Sequence, residues 1–428
     1  MSSSLLKKRR FLPYFITQFL GAFNDNIFKN TLLLLVAFAA VDTLPVSSDI
    51  FINLAAGLFI LPFFLFSATA GVLADNYEKS KLIRIIKMAE VIIMLLAAIG
   101  FLFHSYLSLL ILLFLMGTQS AFFGPVKYAL LPQHLKAGEL VSGNALVETG
   151  TFLAILFGTI GAGFIAGSGH AEVIAAVMVI IFSILGFIAS NKIPAAPAEK
   201  SHQPFQWQPI TQTQRTLAIA KQNNHIYLSI LAISWFWFLG ACYLTQFPNF
   251  TKHYLLGNQA SVSLLLTLFS VGIAVGSLLC ARLSRHQVNL KLVLLGGALI
   301  SVCSFLLGFS TPSAITTSII TPSSSLWAFI AQPSLWGVFI SLFGLGISGG
   351  LFIVPLYTQM QILAQPNQRA QVIAANNIYN AIFMVASALI SIICLAMLNL
   401  SIPDFFELLA AFNAVVIFLL WYKAASVA

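Results

Sequence analysis

The sequence is short of charge. Only 8% of its 428 residues are Asp, Glu, Lys or Arg and 59% are hydrophobic, whereas a soluble domain carries roughly a quarter charged residues. Too few polar side chains exist to coat a water-facing globule of this length, which excludes a soluble enzyme. Lipid must be the solvent for most of the chain, and helices suit it because they satisfy every backbone group internally. Acid is scarcer than base, 12 residues against 21, for a net charge of +9. That excess would point to nucleic acid in a soluble protein, but here it follows from topology, and no nucleic-acid partner is expected. Cysteine is rare too. Cys242, Cys280, Cys303 and Cys394 all lie in apolar runs and read as small buried hydrophobes, not as a disulfide framework or a metal site. None of the seven histidines is followed by Asp four or five residues on, so a His-x4-Asp acyltransferase has no candidate and no enzyme is expected.

What is abundant is long apolar runs. A hydrocarbon core of about 30 Å needs about 20 helical residues, and twelve runs qualify, near 11–40, 50–73, 84–104, 107–127, 140–167, 171–190, 226–250, 259–283, 290–309, 333–359, 370–398 and 403–422. With the N-terminus in the cytoplasm, one set of loops collects Lys7, Lys8, Arg9 and Arg10, then Lys79, Lys81, Arg84 and Lys87, then Lys136, and further basic residues up to Lys423; the other face receives Lys252 alone. The positive-inside rule then puts both termini in the cytoplasm. A basic segment before an apolar one also fits a signal peptide, but the run continues past Asn24 and Asp25 with no convincing small-x-small site and is taken as the first helix. Residues 191–225, with Pro194, Pro197, Pro204 and Pro209, read as a cytoplasmic linker between a six-helix half at 1–190 and another at 226–428. The Ser/Thr/Pro-rich segment 310–325 reads as an exposed periplasmic loop.

The halves repeat. Phe19-Leu20-Gly21-Ala22 recurs as Phe238-Leu239-Gly240-Ala241, the segment Asn144 to Glu148 is echoed at Asn376 to Asn380, and Pro125 is matched by Pro355. Two related six-helix halves with a site near the bilayer midplane describe the major facilitator fold, an all-α membrane protein of 12 transmembrane helices.

A charge in mid-membrane costs at least about 2.5–3.5 kcal/mol and requires a reason. Tyr14, Gln18, Gly21, Asp25 and Lys29 follow helical spacing and form one polar stripe that should face the bundle interior. Asp25 and Lys29 either serve a substrate or neutralise each other at i,i+4. Lys127, beside Gly124-Pro125, either snorkels from a helix end or presents a cation to a phosphate. Glu148 shares a face with Asn144 and Thr151, and is either a hydrogen-bonded structural carboxyl or a cavity charge. The second half offers amides: Gln246, Gln359, Asn376 and Asn380 as candidates, with Gln361 and Asn377 read as interhelical hydrogen bonds. Trp235, Trp237 and Tyr243 are read either as the opposite wall of a lopsided cavity or as interfacial aromatics.

Gly71-Val-Leu-Ala-Asp75 followed by Lys79 and Lys81 resembles the loop 2–3 signature of the major facilitator superfamily, with Asn76 and Glu78 in place of the usual Arg and Gly. The resemblance assigns Gly71, Asp75 and Lys79 to gating. Gln18 to Asn26, Phe123 to Pro132, and Gly143 to Glu148 with Thr151 together resemble the bacterial lysophospholipid transporter family, closest to the membrane half of bifunctional transporter–acyltransferase proteins. That resemblance implies an inner-membrane flippase bringing lysophospholipids such as lysophosphatidylethanolamine from the outer to the inner leaflet, by alternating access with lateral entry. Gln18, Asp25, Lys29, Lys127, Asn144, Glu148, Gln246, Asn376 and Asn380 are the expected headgroup ligands, and Phe63, Phe64, Phe122 and Phe123 are the expected tail wall. Asp25 and Lys127 match charged cavity residues of the family, and Gln246 stands where a basic residue is expected. A monomer is expected, with a separate cytoplasmic acyltransferase acting on the product. No cofactor is expected. The alternative is a cation-coupled carrier of a drug or siderophore in the same fold, with Asp25 or Glu148 as a proton or sodium site.

Overall fold

The computed structural model describes residues 2–38, 47–199, 208–285, 287–312 and 325–427. Lys200, His202, Pro204, His286 and most of the 310–325 loop lie outside them. The described residues are helical, with no strand. A 3-10 turn, Ser2–Lys7, precedes α1 (Leu12–Phe38), α2 (Ser48–Asn76), α3 (Lys79–Leu102), α4 (Tyr106–His134), α5 (Leu140–Ala166) and α6 (Ala171–Ser190). Then come α7 (Pro209–Lys221), α8 (Asn224–His253), α9 (Gln259–Leu283), α10 (Leu290–Phe309), the short α11 (Leu326–Ile330), α12 (Trp336–Leu363), α13 (Arg369–Ser391) and α14 (Ile402–Val427). All but α7 and α11 have at least 20 residues, enough for about 30 Å at 1.5 Å per residue. Eleven of these twelve, all but α1, lie in segments apolar enough to cross a membrane by composition. In α1, Asn24, Asp25, Asn26, Lys29 and Asn30 dilute the apolar residues.

The expected spans 171–190, 259–283 and 290–309 match α6, α9 and α10. Others extend beyond their apolar runs. α3 starts at Lys79, not 84, and α4 continues to His134, not 127, with Pro125 and Pro132 inside it. Hydropathy registers the part of a helix that lipid surrounds, whereas the backbone stays helical into the headgroup region. The linker holds α7, which packs on α2. Its first part follows the ends of α3 and α4: Lys79 N–H donates to Ala196 O at 3.0 Å, and Gln133 Nε2 to Glu199 Oε1 at 2.7 Å.

The chain forms two compact units, and both halves of the sequence contribute to each. The first comprises Met1–Gly143, Leu153–Tyr227 and Met360–Ala381. Its core joins α1, α2, α3, α4 and α6 through Phe28, Leu32, Phe51, Met94, Phe101, Leu113 and Val179, with the Phe28 and Phe101 rings edge-on at 5.6 Å. Ile85, Ile92 and Ile99 make an exposed apolar stripe on α3, the composition expected of a lipid-facing surface. The second unit comprises Asn144–Phe152, Leu228–Gln359 and Ile382–Ala428. There Gly272 and Gly276 of α9 meet Gly346 and Gly350 of α12, and a Cβ at Gly276 would lie 2.1 Å from Ile347 O. Small residues let two backbones approach where lipid offers no hydrophobic drive to associate.

Candidate functional site

The stripe on α1 turns inward within the first unit. Tyr14 and Gln18 are buried and Asp25 is half-buried. Ser120 Oγ of α4 donates to Asp25 Oδ2 at 2.7 Å, while Asp25 Oδ1 is buried with no hydrogen-bond partner among the described residues. Lys29 forms no ion pair among the described residues, and its ammonium lies 5.1 Å from the centroid of the Phe59 ring, a cation–π contact. Asp25 and Lys29 are thus not joined by a close ion pair, though each lies within electrostatic reach of the other.

The buried ion pair of this unit is one that sequence reasoning missed. Lys87 Nζ meets Glu90 Oε2 at 2.6 Å, both side chains 1% exposed. Lys87 was expected among loop charges, but α3 begins two turns earlier and carries it into the bundle. Gln119 Nε2 donates to Glu90 Oε2 at 3.0 Å and Asn24 Nδ2 to Glu90 Oε1 at 3.5 Å. The signal was available: a Lys and a Glu at i,i+3 on the face of α3 opposite its apolar stripe.

Lys127 is not at a helix end. It lies two turns inside α4, half-buried, with its ammonium 3.4 Å from Gln18 Oε1 and 4.8 Å from the Tyr128 ring centroid. Gly124, one turn earlier, faces α13: a Cβ there would lie 2.6 Å from Asn377 Nδ2. Asn377 Nδ2 finds no hydrogen-bond partner among the described residues, so its expected interhelical bond is not made through that atom. Asn376 is fully buried, and neither of its amide atoms has a partner among the described residues; Asn380 is half-buried. The expected tail wall divides. Phe64 is exposed, Phe122 stacks on Phe66 at 6.2 Å, and the Phe123 ring centroid lies 5.0 Å from Lys87 Nζ.

In the second unit Asn144 Nδ2 donates to Thr358 Oγ1 at 3.2 Å and Glu148 is fully buried. Gln246 is half-buried on α8, and Gln359 Oε1 accepts from Ser229 Oγ at 3.3 Å. The aromatic residues on α8 have structural partners. Trp235 Nε1 donates to Asn413 Oδ1 at 2.9 Å and the Tyr243 hydroxyl meets Ser304 Oγ at 2.5 Å. Both polar ends are thus committed to α14 and α10 respectively. Trp237 stacks on Phe152 at 6.0 Å and donates to Tyr357 Oη at 3.2 Å.

The gating candidates meet in the first unit. Asp75, fully buried at the end of α2, accepts from Ala370 N–H at 2.9 Å and from Gln371 N–H at 3.2 Å. These are N–H groups of the first turn of α13, which have no partner within their own helix. Asp75 thus caps α13 from another helix, and the helix dipole favours its charge. Gly71 makes room, since a Cβ there would lie 2.8 Å from Ala374 Cβ. Lys79 is buried beside them, and its ammonium has no hydrogen-bond partner among the described residues. Between α2 and α3, the Ser80 hydroxyl bond, then Ala196 N–H and the Lys81 cation, hold the Glu78 carboxyl below its usual range.

Comparisons with known proteins agree with this fold. The description "Major Facilitator Superfamily" matches residues 14–388. The lysophospholipid transporter LplT of Serratia proteamaculans (strain 568) is 24% identical over 367 residues, 84% of this chain and 82% of that protein. The protein of that name from Klebsiella pneumoniae (strain 342) is 28% identical over 370 residues, 83% and 81% of the two chains. Among solved structures, the Escherichia coli fucose:proton symporter FucP superposes with a TM-score of 0.71 at 13% identity, covering 97% of this chain and 99% of that one. The human organic anion transporter MFSD10 gives 0.70 at 14% identity, covering 95% and 99%.

Proposed function

Since the chain belongs to the Major Facilitator Superfamily, we propose that it is a lysophospholipid transporter. The observation that carries this reading is similarity over about four-fifths of both lengths to proteins named for that activity. It resides in a bacterial inner membrane with both termini cytoplasmic, a reading supported by the asymmetry of the basic residues. A lysolipid such as lysophosphatidylethanolamine enters laterally and passes from the outer to the inner leaflet by alternating access. Asp25 supplies an anion for the headgroup amine and Lys127 a cation for the phosphate, because charge-assisted hydrogen bonds are the strong ones where water is scarce. The half-buried Asp25, with a buried oxygen that has no hydrogen-bond partner among the described residues, and the half-buried Lys127 support those roles. The transporter acts as a monomer and delivers its product to a separate acyltransferase.

Uptake of labelled lysophosphatidylethanolamine into spheroplasts tests the reading. Wild type is expected to take it up, and Asp25→Asn to reduce uptake by about tenfold or more, the loss of one charge-assisted bond. Full uptake by Asp25→Asn removes Asp25 from the site. Transport of water-soluble compounds without lipid uptake removes the lysophospholipid reading itself.

A further inference from the structure

The proposed headgroup contacts leave the polar chain behind Asp25 without a task. Lys87 is bonded to Glu90, Glu90 to Gln119, and Ser120, the next residue on α4, has Asp25 Oδ2 at 2.7 Å and Gln119 Oε1 at 3.2 Å. A serine hydroxyl has one hydrogen to give, and the shorter contact is to Asp25. Because Gln119 Nε2 is given to Glu90, its Oε1 is the atom left to face Ser120. Two desolvated ions in such a pair are expensive to bury and are poor evidence for stability alone.

The lysine lies close to the aspartate's helix. A Cβ at Gly21, one turn before Asp25 on the same face, would lie 2.3 Å from Lys87 Nζ. Unless another carboxylate held it, this ammonium would compete for Asp25, which already lies within its electrostatic reach. The charged groups around Asp25 are Lys29 on its own helix and Lys87 and Glu90 on α3; α4 presents the neutral Gln119 and Ser120, and α2 turns Phe59 to Lys29. Asp25 Oδ1 has no hydrogen-bond partner among the described residues.

We propose that Lys87 and Glu90 are positioning residues for Asp25: Glu90, held by Gln119, captures the Lys87 ammonium, and Ser120 orients the carboxylate, so that Oδ1 is reserved for the ammonium of an ethanolamine-type headgroup. This rests on the lysophospholipid reading above. The pair thereby selects cationic headgroups without touching them.

The test compares uptake of lysophosphatidylethanolamine with that of lysophosphatidylglycerol, which has the phosphate but no ammonium. In Glu90→Gln the freed Lys87 turns to Asp25, and the KM for the ethanolamine lipid rises about tenfold or more while that for the glycerol lipid stays at the wild-type value. Lys87→Met/Glu90→Gln, with no charge left in the pair, recovers the wild-type ratio. Ser120→Ala leaves the pair intact and decides the matter where Glu90→Gln fails to insert: the same ratio falls several-fold. Equal losses for both lipids, no recovery in the double variant, or an unchanged ratio in Ser120→Ala overturns the inference while leaving wild-type transport standing. Absence of uptake of both lipids by wild type removes the transport reading and this inference together.

Discussion

At the scale of single residues, the duplicated Phe-Leu-Gly-Ala tetrad shows how one motif acquires two meanings. Gly21 and Gly240 occupy matching places in the two halves. Gly21 has the Lys87 ammonium against its backbone, whereas a Cβ at Gly240 meets nothing within 4 Å. Gly21→Ala is therefore expected to displace the Lys87 ammonium from Glu90 and lower stability, by at most about 3–5 kcal/mol, the penalty of breaking a buried ion pair. Gly240→Ala is expected to be neutral or slightly stabilising, since alanine is the better helix former. Unfolding of the two detergent-solubilised variants measures the difference. The contrast was hidden in the sequence because the repeat preserves the glycine while its neighbour comes from another helix. Asp25 illustrates the same limit: its spacing on α1 showed which face was polar, but Ser120 lies 95 positions away.

At the scale of elements, the start of α13 takes a capping side chain from α2. Removing Asp75 leaves two N–H groups at a buried helix start unpaired, so Asp75→Ala is expected to cost about 1–3 kcal/mol. Asp75→Asn, which retains one acceptor, is expected to lose less. Thermal unfolding of both variants ranks them, and an Asp75→Ala protein as stable as wild type would deny Asp75 its capping role. The signature Gly71 to Asp75 was legible as a motif, yet the partner of its aspartate was not, because a cap supplied across helices leaves no trace in local spacing. Apolar runs located α6, α9 and α10 to the residue. They missed the start of α3 and the end of α4, where polar residues continue the helix, which put Lys87 among the loop charges and left the depth of Lys127 open.

At the scale of the whole molecule, the basic residues make a prediction about orientation that no internal contact supplies. A cysteine placed at His104, in the turn between α3 and α4, is expected to react with a membrane-impermeant maleimide added outside spheroplasts. One placed at Tyr77, in the turn between α2 and α3, is expected to react only after permeabilisation. Both positions are exposed, so the reverse pattern would invert the topology.

Composition and run length were enough to indicate a membrane protein of twelve helices, because burial in lipid imposes one rule on every segment and that rule is additive along the chain; the transporter fold came from the repeat between the halves and the motifs. Pairing is not additive. That Gln119 and Asn24 hold Glu90, that Lys29 stands over Phe59, and that Asp75 caps α13 were settled by which helix faces which, at distances of a few ångströms between residues far apart in sequence.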